Sequence, residues 1–119
     1  MKVISINEAP KDPFTHPDFA GTDATRQAPA PDSKEFKVNM VNGGNGVQNK
    51  FNAHDGEQIL IVVTGKGVVS TEREDRIVNE GDVIFIPPGV PHWRAASTHV
   101  EFSHIFVSPS DSLGDDRED

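Results

Sequence analysis

Residues 51–65 read FNAHDGEQILIVVTG, and this stretch decides the fold class. Asp55-Gly56 is a turn pair. Before it, Gln48, Lys50, Asn52 and His54 fall on one side of a two-residue period, with Val47, Phe51 and Ala53 on the other. After it, Gln58 opens a run in which Leu60 and Val62 alternate with Ile59, Ile61 and Val63. A strand apolar on both faces reads as central and buried. The strand beside it is then not expected to give its whole polar stripe to water. That stripe ends on the amide of Asn52 and the imidazole of His54, and a further amide, Gln58, follows the turn.

The same rhythm extends outward. From Phe36 to Val107, short β-rich runs alternate with turn signals: FKVNMV, GVQNKFNAH, QILIVVT, VVSTE, RIVN, VIFI, HWRA and HVEFSHIFV. Eight strands joined by tight turns predict an all-β sandwich or barrel with no helix of useful length. Before the barrel, residues 1–35 read as an N-terminal arm, its 7–34 portion holding five Pro and no sustained period. Residues 108–119 read as a disordered acidic tail. A chain of 119 residues makes one domain with one core.

Composition removes whole classes of function. The net charge is −8, and DSLGDDRED at residues 111–119, with five acids and one Arg, supplies half of it. No basic face for nucleic acid is expected from such a balance. Without cysteine there are no disulfides, thiolate metal sites or Cys nucleophiles. MKVISINEAP does not read as a signal peptide, and no run approaches the roughly 20 apolar residues of a membrane span, so a soluble cytoplasmic protein without membrane partners is expected.

A second stretch, GDVIFIPPGVPHW at residues 81–93, complements the first. Gly81 and Asp82 make a turn and Val83 to Ile86 a strand. Pro87, Pro88, Gly89 and Pro91 then fix a rigid reversal that delivers His92. A His on a stiff loop near another His is a way to assemble a metal site.

Together the two stretches resemble the two motifs of the cupin superfamily. Gly46, Asn52, His54, Gln58 and Gly65 fall at the spacings of the first motif's Gly, His, His, Glu and Gly. Gly81, Pro87, Gly89, His92 and Ala96 fall at those of the second motif's Gly, Pro, Gly, His and Asn. The departures are Asn52 for the first His, Gln58 for Glu and Ala96 for Asn. The resemblance covers residues 36–107 and implies a single jelly-roll β-barrel around a cavity. It further implies one divalent metal ion, Mn, Ni, Zn or Fe, held by His54, Gln58 and His92, with Asn52 as a fourth ligand or the anchor of a metal-bound water. The wording HDGEQILIV with GDVIFIPPGVPHW is similar to a Gln-ligand subgroup that includes manganese-dependent hydroxynitrile lyases. A metal-assisted lyase acting on a small polar carbonyl or hydroxy compound is thus implied, against a metal-free binder of a small molecule or a dioxygenase. A homodimer is implied as well.

Other residues carry alternatives. Glu57 is the carboxylate next to Gln58, but strand parity turns it to the other face. His104 shares a face with Val100, Phe102 and Phe106, and reads either as a satisfied core residue or as an acid or base in the cavity. Arg94 shares the parity of His92 and reads as a surface residue or an anion-binding member of the substrate pocket. Lys50 reads as a solvated or paired residue or as a catalytic one in that pocket. His16, His99 and Trp93 read as surface or packing residues.

Overall fold

A computed structural model describes residues 1–13, 19–20, 25–43, 48–96, 102–111 and 114–116, with backbone pairing alone for strand residues 19–20, 48–54, 93–96 and 114–116. Among the described residues, a 3-10 turn at Ile6–Glu8 precedes twelve strands. These are β1 (Asp12–Pro13), β2 (Phe19–Ala20), β3 (Thr25–Gln27), β4 (Phe36–Gly43), β5 (Gln48–His54) and β6 (Gln58–Thr64), then β7 (Lys66–Thr71), β8 (Asp75–Asn79), β9 (Val83–Ile86), β10 (His92–Ala96), β11 (Phe102–Pro109) and β12 (Gly114–Asp116). They form two antiparallel sheets. The first runs β1-β3-β4-β11-β6-β9, and the second β12-β5-β10-β7-β8, with β2 also on β5. The result is the all-β architecture that the strand rhythm predicts, in the jelly-roll form that the cupin resemblance implies.

The chain changes sheets between β6 and β7 at Gly65, whose φ of 87° lies in the left-handed region that glycine alone enters without steric cost. It returns to the first sheet through the turn between β8 and β9. There Gly81 N donates to Val62 O (2.9 Å), Val62 N donates to Asp82 O (3.0 Å), and the Asp82 carboxylate accepts from Asn79 N (2.7 Å). The turn that opens the second motif is thereby pinned to the middle of β6. Between the sheets Val62, Val69, Val78 and Phe102 form the core cluster, with Ile84 packed against it.

Three expectations are corrected. β6 is not buried on both faces: Gln58, Leu60 and Val62 point inward at 1–2% exposure, while Ile59 is 41% exposed. Its outward face is apolar but lies on the outer side of the first sheet. The segment from Ser108 is not wholly disordered. Ser108 and Pro109 continue β11 opposite Lys37 and Phe36, and Gly114–Asp116 pair with Asn52–His54. Backbone pairing to an open sheet edge asks nothing of side-chain hydrophobicity, so composition does not announce it.

The arm, too, is tied down rather than merely extended. Gln27, 2% exposed, donates from Nε2 to the carbonyls of Ile6 (2.6 Å) and Ala9 (2.9 Å). Asn42 Nδ2 donates to Gln27 Oε1 (3.0 Å) and Thr25 Oγ1 (3.2 Å), and Ser103 Oγ donates to Asn42 Oδ1 (2.8 Å). This buried polar chain fastens the 3-10 turn to β3, β4 and β11, each bond contributing about 1 kcal/mol net.

Candidate metal and substrate site

The site is built where β5 ends, β6 begins and β10 begins. Gln58 is the first residue of β6, opposite Ile86 in β9. It is 1% exposed, and its Oε1 is buried without a hydrogen-bond partner, whereas the neighbouring Glu57 is exposed. The parity expectation for this pair therefore holds. An amide oxygen buried in that way costs about 1–3 kcal/mol unless a ligand engages it.

His92 arrives through the reversal of residues 87–91. Val90 N donates to Pro87 O (3.4 Å), and Gly89 has φ 76°. His92 is fully buried, with its Nδ1 3.0 Å from Val90 O. A carbonyl only accepts, so Nδ1 carries the proton in this contact and the lone pair of the neutral ring is on the buried Nε2. Fixing the tautomer through the other ring nitrogen is how a ligating imidazole is prepared.

The ladder places Asn52 of β5 directly across from His92, and Thr71 of β7 on its other side. Two residues further along β5 stands His54. The side chains of Asn52, His54, Lys50 and Arg94 lie outside the described residues. The backbone of Arg94 pairs with Val69, two residues along β10 from His92. Gly46, His16, His99 and Val100 lie outside the described residues, and the side chains of Trp93 and Ala96 do so as well. Among the described residues no three His, Cys, Asp or Glu side chains gather at metal-binding spacing. Gln58 and His92 are the members of the expected set whose side chains can be examined, and both fit a metal: an unengaged buried oxygen and an oriented imidazole.

His104 sits deeper. It is 2% exposed and stacks on Phe102, with ring centroids 5.1 Å apart at 29°, while the Phe106 ring stands 6.2 Å away at 31°. Its ladder partners are Val41 and Val62. Gln58 and Val62 are four residues apart on β6, roughly 13 Å of strand. His104 therefore lies two inward positions below Gln58, past Leu60.

A cavity of about 810 Å³ opens beside these positions, between the free edges of β8 and β9. Its apolar walls include Val69, Val78, Ile84 and Ile86, and its rim carries Arg73 and Arg76, the latter 3.3 Å from Glu74. Thr71 and Ile86, the ladder neighbours of His92 and Gln58, line it. Sequence reasoning missed this opening, because a gap between two sheet edges has no local pattern.

The family model of the cupin domain matches residues 38–108, more than half of the chain. The chain belongs to the cupin family. Mannose-6-phosphate isomerase 1 of Arabidopsis thaliana is 32% identical over 68 residues, 56% of this chain but 16% of the isomerase, so the cupin spans only a small part of that relative. Among solved structures, a cupin-like protein from Thermotoga maritima superposes with TM-score 0.83 at 28% identity, covering 92% of this chain and 86% of the other. A protein described as a predicted oxalate decarboxylase, also from Thermotoga maritima, superposes with TM-score 0.80 at 18% identity, covering 91% and 98%. In this cupin no helix among the described residues is long and apolar enough to cross a membrane.

Proposed function

We propose that this cupin holds one divalent metal ion through His54, Gln58 and His92, with Asn52 as a weak fourth ligand or the anchor of a bound water, and acts as a lyase on a small polar carbonyl or hydroxy compound. The observation that carries the reading is the Gln58 oxygen, buried and unengaged, together with a buried imidazole at His92 whose tautomer is set by Val90 O. A bound divalent ion supplies Lewis acidity toward a substrate oxygen, and a ligand set without an ionised member leaves its charge undiminished. Neutral His and amide ligands suit manganese, nickel or zinc, the amides favouring the harder ion.

The chain's own residues do the rest. Ile86, Thr71 and the apolar walls of the cleft exclude water around a small substrate. His104 stands roughly 13 Å of strand below Gln58, beyond direct proton transfer to a substrate on the ion, so no proton step is assigned to it. Arg94 and Lys50 are proposed to face the substrate pocket. The names of the relatives, an isomerase of mannose 6-phosphate and a predicted oxalate decarboxylase, favour a small oxygen-rich substrate.

The test is elemental analysis of protein purified without chelator or affinity metal, followed by titration with Mn²⁺, Ni²⁺ and Zn²⁺. One ion per chain is expected. Gln58→Ala should weaken binding by at least about tenfold, whereas Glu57→Ala should leave it unchanged. No metal on isolation and no binding of any of the three ions would replace this reading with a metal-free binder.

A further inference from the structure

β8 runs against the ordinary pattern of an amphipathic strand. Its Val78 belongs to the core cluster at 5% exposure, while Ile77 is 63% exposed, so the two-residue period sets Arg76 on the inner face and an isoleucine in water. The ladder agrees. Residues directly opposite in an antiparallel pair share a side of the sheet, and Arg76 stands opposite Val69 of β7, another member of the core cluster. On its other side Val69 pairs with Arg94 of β10. The register therefore sets Arg94, Val69 and Arg76 in one transverse row on the inner face of the second sheet. Asn52, His92 and Thr71 make the next row of that face. Two residues of strand separate the rows, roughly 7 Å. Arg76, Val69 and Val78 all line the cleft between β8 and β9, and Thr71 of the neighbouring row lines it too.

We propose that Arg76 and Arg94 form an anion subsite in this cleft, so that the substrate carries a phosphate or carboxylate group a few bonds away from the oxygen at the His92 row. The two positions lie two strands apart, about 10 Å, which side chains of this length span from both ends over Val69. A guanidinium presents five donors in a fixed fork that matches an oxyanion. The acids of the rim leave this role open. The Asp82 carboxylate accepts from Asn79 N, and Glu74 takes a single contact of 3.3 Å from Arg76 Nη1. That pair is 57% and 74% exposed, so water screens it and an arriving anion replaces it at little cost. A chain of net charge −8 repels small anions over most of its surface, and a local pair of guanidinium groups is what retains one. The inference rests on the substrate site proposed for this cupin, but its test needs no metal.

Calorimetric titration of the full, metal-free chain with inorganic phosphate at about pH 8, where imidazoles are neutral, reads the subsite by itself. Binding in the millimolar range or tighter is expected. Arg76→Gln should weaken it by at least about tenfold, and Arg94→Gln by as much. Arg76→Lys keeps the charge but loses the fork, and should fall between the wild type and Arg76→Gln. Glu74→Gln removes the competing carboxylate and should tighten binding. Arg76 is exposed enough that circular dichroism should show an intact fold in its variants. Lys66 opens β7 opposite Asn79, exposed and on the outer parity of the same sheet, so Lys66→Gln removes an equal charge and should change nothing. Acetate in place of phosphate separates the two sources of the anion: the tighter ligand assigns a carboxylate or a phosphorylated substrate. No binding of either anion to the wild type up to about 50 mM would overturn the proposal. So would a folded Arg76→Gln protein that binds phosphate as the wild type does, or an equal loss in Lys66→Gln. A chain that takes up Mn²⁺ but neither anion would sink this inference alone, and one that binds an anion but no metal would sink the metal reading alone.

Discussion

At the scale of single residues, the chemistry turns on two amides that stand where the cupin pattern has His and Glu. Gln58 was legible because the period of a strand is two: once Leu60 and Val62 are inward, Gln58 is inward and Glu57 is not. The Gln27, Asn42 and Ser103 chain was not legible, since its members lie 15 and 61 residues apart and meet only when β3, β4 and β11 align. Asn52 can be tested by reversal. Its backbone already stands opposite His92, two residues before His54 on the same strand, so Asn52→His restores the position of a first imidazole without moving the chain. Imidazole favours nickel and zinc over manganese. Calorimetric titration should show affinity for Ni²⁺ or Zn²⁺ raised by more than about tenfold and affinity for Mn²⁺ raised by less. Unchanged affinity for all three ions would remove Asn52 from the site.

At the scale of elements, the second motif works as a delivery device. β9 ends at Ile86, and five residues carry the chain to His92. The reversal depends on Gly89 at φ 76°, a conformation that any other L residue holds at a cost of about 1–2 kcal/mol. Nothing lies within 4 Å of a Cβ built there, so the cost of Gly89→Ala is that of the backbone alone. Thermal unfolding should therefore fall by several degrees, roughly 4–8 °C for each kcal/mol in a domain of this size. If the loop relaxes to relieve the strain, His92 moves away from Val90 O and metal affinity falls as well. Unchanged thermal stability and metal affinity would show that the reversal tolerates a side chain and that its rigidity is not what places His92. The prolines and glycine made this element readable, because each restricts or frees one backbone angle. The exposed side of β6 was readable as apolar, but not as outward. Composition reports that a face avoids water without reporting whether the same chain or another one covers it.

At the scale of the whole molecule, the described strands reveal pairings at the sheet margins that the sequence conceals. β1, β3 and β12 are held largely by backbone hydrogen bonds to β3, β4 and β5, and such bonds leave no periodic signature. β12 joins the edge of β5 level with Asn52 and His54, so the acidic tail and the site share a strand. Metal binding should then be felt throughout the fold as stability. An ion that binds the folded chain alone, present at about 100 times its dissociation constant, stabilises by about 2.7 kcal/mol, which amounts to an increase on the order of 10 °C in the unfolding midpoint. The sign of its pH dependence follows from the ligands. Imidazole binds metal only when neutral, and an ordinary imidazole gains its proton near pH 6.5. The midpoint gain on adding Mn²⁺ should be full at about pH 8 and shrink as the pH falls through about 6, as protons displace the ion from His54 and His92. Gln58→Ala, which carries no titrating group, should reduce the gain at both pH values. Scanning calorimetry at the two pH values, with and without Mn²⁺, measures all of these quantities. A gain that persists undiminished at pH 5 would assign the ion to carboxylates elsewhere on this acidic chain rather than to the imidazoles of the barrel.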